Sequence, residues 1–368
     1  MFYTWSQSEA GPKFDQDFGR MIEWDIPLLD GYEFEFVDNV AKNPGPHHFK
    51  GINNPSLERR IEDWNPDVLL VVGWNYKSHL GIMRHFKGRV PILFKGDSTL
   101  IDERPGIRRL LRRIFLKWVY WHIDYALYVG ENNKAYFLAH GIKERQLYFV
   151  PHAVDNDRFA EPHEEYEKAA GKWRAELGIS DNDAVFLFAG KLEPKKNPGF
   201  MLKMARSILS EHYKFVIVGN GILEDELKKD AANDKRIIFL GFQNQQIMPV
   251  LYRVGDIFVL PSTGPGETWG LSINEAMACK RPVIVSRKVG CAPDLVVDGK
   301  TGWIAGTDSK NGETLMFKLS DLLSEENKFR PLGENAFEKI KQYSYSVAIE
   351  NFLELMITIG NRNVKKSI

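Results

Sequence analysis

The pattern that most constrains this chain is an alternation of short apolar runs with longer amphipathic stretches. Runs of four to six such residues, bounded by glycine, proline or charge, suit strands buried on both faces. Strands buried on both faces belong to parallel sheets covered by helices. In the first half the runs are residues 67–72 (DVLLVV), 90–94 (VPILF), 125–129 (YALYV) and 147–150 (LYFV). The series restarts with 184–189 (AVFLFA), 214–218 (KFVIV), 236–240 (RIIFL), 257–260 (IFVL) and 282–285 (PVIV). Residues 161–172 between the two series are polar and charged and contain a proline, a composition that reads as a linker. The fold class expected is α/β, with two doubly wound domains joined near residues 155–180.

A length of 368 residues agrees with two domains of usual size. Lysine plus arginine (49) equals aspartate plus glutamate (49), which argues against a dedicated nucleic-acid binder. Only Cys279 and Cys291 are present, too few for a disulfide scaffold, so both are expected to be reduced thiols of a cytoplasmic protein. No apolar run is long enough to cross a bilayer, and Met1-Phe2-Tyr3-Thr4-Trp5 has no signal-peptide pattern.

In open parallel sheets, ligands sit at the carboxyl ends of the strands. After residues 184–189 comes Gly190-Lys191-Leu192-Glu193-Pro194-Lys195-Lys196. Lysines at a strand–helix junction suit a diphosphate, although a basic run is equally the solvated start of a helix. After residues 257–260 a glycine-rich loop leads through Glu267-Thr268-Trp269-Gly270-Leu271 into Ser272-Ile273-Asn274-Glu275-Ala276-Met277, where apolar residues recur at helical spacing. Gly270 and Leu271 fall at a predicted helix N-terminus, where free amides and the helix dipole attract an anion. Glu267 and Glu275 are suited to accept hydrogen bonds from sugar hydroxyls. Singly, each is also explained as an ordinary loop or helix-surface residue. Gly219-Asn220-Gly221 is no dinucleotide fingerprint, because Glu224 stands where the third glycine belongs.

The stretch from Glu267 through Gly270 and Leu271 to Glu275 resembles the donor-binding signature of retaining glycosyltransferases of the GT-B fold, in particular family 4. The likeness continues in Gly190-Lys191-Leu192 with Lys196, in Val150-Pro151-His152-Ala153-Val154-Asp155 with Arg158 and Phe159, in Val218-Gly219-Asn220-Gly221 and in Phe239-Leu240-Gly241-Phe242. Residues 290–302, with Pro293, Asp298, Gly299, Thr301 and Gly302, complete it. The resemblance covers about residues 125–355. It implies two Rossmann-like domains facing a cleft: residues 1–154 on the acceptor side, 155–345 binding the donor, and a C-terminal helix (about 346–368) crossing back. Phe2-Tyr3-Thr4-Trp5 resembles the second strand of such a first domain, so the opening strand–loop–helix is expected to be absent.

For the site, the resemblance implies that Glu267 meets the transferred sugar and Glu275 the ribose. The Gly270 and Leu271 amides, with Lys191 and Lys196, would hold the diphosphate. Gly190, Thr268 and Gly241 would line the same donor site, Gly241 at the base. The reaction implied is transfer from a nucleotide-diphosphate sugar to a glycan or lipid-linked acceptor, in surface polysaccharide or glycolipid synthesis, with the anomeric configuration retained. Catalysis would rest on Glu267, Lys191 and Lys196, without a metal or other cofactor. A GT-B-type sugar-nucleotide epimerase, or a non-catalytic binding protein of this fold, remains an alternative.

On the acceptor side, Asp97 follows the run at 90–94 and is a candidate polar contact, or else a helix N-cap. His47 and His48 have no carboxylate or cysteine at metal-ligand spacing. Residues 104–122, from Arg104 to His122, read as an amphipathic helix. Ile107, Leu110, Leu111, Ile114, Phe115, Trp118 and Trp121 form one face; Arg108, Arg109, Arg112, Arg113 and Lys117 form the other. Two outcomes are open. The apolar face packs on its own domain beneath a solvated basic back, or the helix docks on an anionic membrane as a peripheral anchor.

Overall fold

A computed structural model describes residues 1–5, 13–15, 20–27, 29–306 and 329–366. The chain divides into two compact units. The first comprises residues 1–12, 27–151 and 348–368, and the second residues 13–26 and 152–347.

The first unit is built on a parallel sheet in the order Leu69–Val72, Ile92–Lys95, Tyr125–Tyr128, Leu147–Phe149. Helices Leu57–Trp64, Lys77–Phe86, Ile107–Tyr120 and Glu131–Ala139 alternate with these strands along the chain. The central strands are apolar but for Lys95 at the end of the first, and Ile92, Leu93, Phe94, Ala126 and Leu127 are all buried. Phe2–Tyr3 and Glu35–Phe36 form a separate parallel pair. Of the helix Tyr345–Lys366, Leu355 and Ile359 are buried in one cluster with Leu93, Tyr125, Leu127 and Val150.

The second unit holds a six-stranded parallel sheet in the order Ile237–Leu240, Tyr213–Val218, Ala184–Ala189, Ile257–Leu260, Val283–Ser286, Gly302–Ala305. The first three strands in sequence run outward one way from Ala184–Ala189, and the last three run outward the other way from Ile257–Leu260. Strand order therefore reverses between these two neighbours, and the loops leaving their carboxyl ends diverge around a crevice, the usual ligand position in open α/β sheets. Below it, Phe186 stacks on Phe215 with ring centroids 5.3 Å apart in a core shared with Phe188, Ile217 and Val259.

Two expectations are corrected. Residues 161–172 are no linker: His163–Glu176 is a helix. Two of its charges are held by partners from distant elements. Glu167 meets Arg281 at 2.6 Å and Arg253 at 3.4 Å, and Arg174 meets Asp256 at 3.1 Å. The short hairpin Lys13–Asp15 with Arg20–Ile22 falls in the second unit, although it lies within the stretch assigned by sequence to the first.

Candidate active site

The strand Ala184–Ala189 ends at Gly190, and the chain passes through Lys191 into a single 3-10 turn, Pro194–Lys196. Asn197 caps that turn in the left-handed conformation, and its side-chain amide donates to the Pro261 carbonyl at 3.2 Å. The Thr263 amide donates to the Lys195 carbonyl at 2.8 Å. These two bonds lash the lysine turn to the loop that follows Ile257–Leu260. Gly219, at the neighbouring strand end, permits the close approach there: it has φ +130°, and a Cβ on it would lie 2.0 Å from the Gly190 carbonyl oxygen.

Lys196 and Glu267, 71 positions apart, meet with Nζ 2.5 Å from Oε2. The Ser262 hydroxyl donates to the same oxygen at 2.9 Å. Glu267 is buried and Lys196 largely so. Lys195 instead pairs with Glu193 at 3.3 Å, and Lys191 is half-buried at the strand end. Of the three lysines, Lys196 is thus the one paired with the motif carboxylate.

The helix Leu271–Ala278 begins at Gly270, which has φ +99°. A Cβ there would meet Val289 Cγ1 at 2.9 Å and Leu260 Cδ2 at 3.0 Å, so glycine answers both the backbone conformation and the lack of space. Just inside the helix Asn274 accepts from Trp269 Nε1 at 2.8 Å and donates to the His152 carbonyl at 3.0 Å, which holds the loop to the helix start. Gly270 and Leu271 are therefore at a helix N-terminus, with Glu267 before it and Glu275 one turn inside.

Glu275 accepts from the Tyr252 hydroxyl at 2.5 Å. Its side chain keeps some open area, but the carboxyl is enclosed. Burial pushes its pKa up to about 7, against the opposing pull of the Tyr252 bond and the Arg158 charge. Burial together with the Glu275 carboxylate raises the Tyr252 phenol well above its ordinary value. Arg158 is held by the Gln245 carbonyl at 2.8 Å and lies 4.3 Å from the Phe159 ring centroid. Tyr252 lies outside every motif, and Ser262 lies in the glycine-rich loop after 257–260 with no role assigned to it from sequence. Arg158 is named from sequence only within the family likeness that runs from Val150 to Phe159. Their signal is contact with the two glutamates, which needs the tertiary structure.

Gly241 is exposed beyond strand Ile237–Leu240, beside Asn220, whose side-chain oxygen accepts from the Phe242 amide at 2.9 Å. Asp97 belongs to the first unit, half-buried in the loop after Ile92–Lys95, where burial lowers the pKa of neighbouring Lys95. Cys279 and Cys291 are buried free thiols, and burial pushes the Cys279 thiol up to about 12. Among the described residues no three His, Cys, Asp or Glu side chains are grouped as metal ligands.

Known glycosyltransferases are similar to this chain. The chain is 28% identical over 278 residues to a Campylobacter jejuni GalNAc-alpha-(1->4)-GalNAc-alpha-(1->3)-diNAcBac-PP-undecaprenol alpha-1,4-N-acetyl-D-galactosaminyltransferase, covering 74% of this chain and 70% of that protein. It is 35% identical over 145 residues to an Escherichia coli UDP-Gal:alpha-D-GlcNAc-diphosphoundecaprenol alpha-1,3-galactosyltransferase, covering 37% of this chain and 35% of that one. Several curated relatives are matched over about half of their length or less. Anabaena HepE, solved in complex with UDP, superposes with a TM-score of 0.67 at 18% identity, covering 88% of this chain and 86% of that one. That likeness establishes the fold: Rossmann-like α/β domains of the GT-B type. Residues 170–339 match the family model described as Glycosyl transferases group 1. The loops carrying Lys191, Lys196, Glu267, Gly270 and Glu275 thus lie within the stretch that matches the glycosyl transferases group 1 family.

Proposed function

We propose that the protein transfers a glycosyl group from a nucleoside-diphosphate sugar to a glycan or lipid-linked acceptor, with retention of the anomeric configuration. The observation that carries this reading is the Lys196–Glu267 pair at the mouth of the Gly270 helix N-terminus, with Glu275 and Tyr252 one turn further in. A diphosphate placed there meets the Gly270 and Leu271 amides and the Lys191 and Lys196 ammoniums. It competes with Glu267 for Lys196, so donor binding turns the Glu267 carboxylate toward the hydroxyls of the transferred sugar. Glu275, oriented by Tyr252, accepts from the ribose hydroxyls. Thr268 and Gly190 line the phosphate loop, and the exposed backbone at Gly241 faces the base.

In the step itself the acceptor hydroxyl forms its bond to the anomeric carbon on the face from which the diphosphate departs. The departing phosphate oxygen takes the hydroxyl proton. Stabilisation of the leaving charge by Lys191, Lys196 and the helix amides, together with positioning of the two substrates, supplies the catalysis. Asp97 is the acceptor-side contact in this reading. A lipid-linked acceptor would bring the protein to the cytoplasmic face of an anionic membrane through residues 104–122, as a peripheral enzyme of surface polysaccharide or glycolipid synthesis. No described helix is long and apolar enough to cross a membrane.

The test is a thermal-shift and turnover screen against UDP-, GDP- and ADP-sugars, beginning with the uridine donors because one relative is named for UDP-Gal and HepE was solved with UDP. Stabilisation by one nucleotide family with slow release of free sugar supports transfer. An epimerised nucleotide sugar as the product would make the protein an epimerase. No stabilisation by any donor would overturn the reading.

A further inference from the structure

The helix Ile107–Tyr120 faces the wrong way for a helix that only packs on its own domain. Its buried residues are Leu116, Val119 and Tyr120, near the C-terminal end. Ile107, Leu110, Leu111, Ile114, Trp118 and Trp121, spaced three or four apart and so on one face, are 43 to 68% exposed. The inward side nearer the N-terminus carries Arg109 and Arg113, both half-buried, with Arg113 held by Glu103 at 2.8 Å. A core cannot receive those guanidiniums, so the apolar stripe is turned outward. Of the apolar face, Phe115 meets Trp74 with ring centroids 5.6 Å apart and Trp118 lies under Arg84, while most of the stripe is turned outward rather than packed on its own domain.

From this geometry we infer that the helix lies in the interfacial plane of an anionic phospholipid bilayer, its stripe inserted and the exposed Arg108, Arg112 and Lys117 flanking it at the headgroups. The inference deepens the acceptor side of the proposed function. Charge selects the occupant. No acid interrupts the chain from Arg104 to Ile123. Cationic surface continues beyond the helix into a cavity of about 520 Å³ lined by Lys117, Trp121, Lys143 and Arg145, together with Lys87 and Asp124, which pair at 2.8 Å. A second copy pressed stripe to stripe would set arginine against arginine. Tryptophans 118 and 121 at one end of an apolar stripe also suit an interface, where such rings settle at headgroup depth.

The test is cosedimentation of the full chain with phosphatidylcholine–phosphatidylglycerol vesicles, against pure phosphatidylcholine vesicles. Binding to the anionic vesicles, weakened by salt, is the expected result. Leu111→Glu with Ile114→Glu should reduce it at least about tenfold, and both positions are exposed, so the fold is not at stake. Arg108→Gln with Arg112→Gln should reduce it roughly 25-fold, at about fivefold per charge. Equal binding to both vesicle types, unchanged binding by the stripe variant, or an anionic-insensitive dimer that the stripe variant dissociates would each overturn the inference. The assay needs no donor and no turnover, so its failure is separable from failure of the transferase reading.

Discussion

Glu275→Gln exchanges an enclosed carboxyl for an amide of the same shape that still accepts from Tyr252, and its effect on stability is set by proton linkage. Folding raises Glu275 from 4.5 to about 7. Between these values the folded protein keeps a proton that the unfolded chain has released, so the group's ionisation opposes folding increasingly as pH rises. Below about 4.5 both states hold the proton and the penalty vanishes; above about 7 it is complete. At about 1.4 kcal/mol per pH unit, the interval from 4.5 to about 7 is worth about 3 kcal/mol. The ligand-free Gln variant should therefore be the more stable protein at pH 8 by up to that amount, about 6 to 12 °C in Tm for a unit of this size. At pH 5 the gap should shrink to under about 1 kcal/mol. Donor binding should weaken in the variant, since an amide accepts less well from ribose hydroxyls than a carboxylate. Thermal unfolding of both proteins at the two pH values reads the difference directly. A Tm gap independent of pH, or a variant less stable than wild type at pH 8, would refute the linkage and with it the enclosed state of this carboxyl.

Lys196→Met should lower kcat roughly 100-fold, the usual cost of removing one group that stabilises developing charge, because it strips the leaving phosphate of a cation and leaves Glu267 with Ser262 alone. A single-turnover rate equal to wild type would remove Lys196 from the mechanism. Gly270→Ala should destabilise the second unit by about 1–3 kcal/mol through its left-handed φ and the contacts with Val289 and Leu260. Denaturant midpoints check this, and a neutral result would mean that the loop relaxes without strain.

The sequence by itself determined most strands of the two large sheets, though not Gly302–Ala305 at the edge of the second. Parallel strands buried on both faces must be apolar runs, so 184–189 and 257–260 were legible residue by residue, as was the helix start at Gly270 that the break from strand to helical spacing marks. It also carried the family likeness, because Glu267, Gly270, Leu271 and Glu275 lie close together in the chain. Tertiary structure alone decided which partners those residues meet. Lys196 reaches Glu267 across 71 positions only because strand order reverses between Ala184–Ala189 and Ile257–Leu260. Tyr252 becomes the partner of Glu275 through the packing of two helices that no spacing rule links. Residues 161–172 looked like a linker because charge was read as solvation, whereas Glu167 is matched by arginines 253 and 281 from distant elements. The helix Ile107–Tyr120 showed two faces to the sequence, but periodicity defines faces without direction. Which face turns inward depends on what the neighbouring strands and helices can accept, and here that is Leu116, Val119 and Tyr120 rather than the longer apolar stripe.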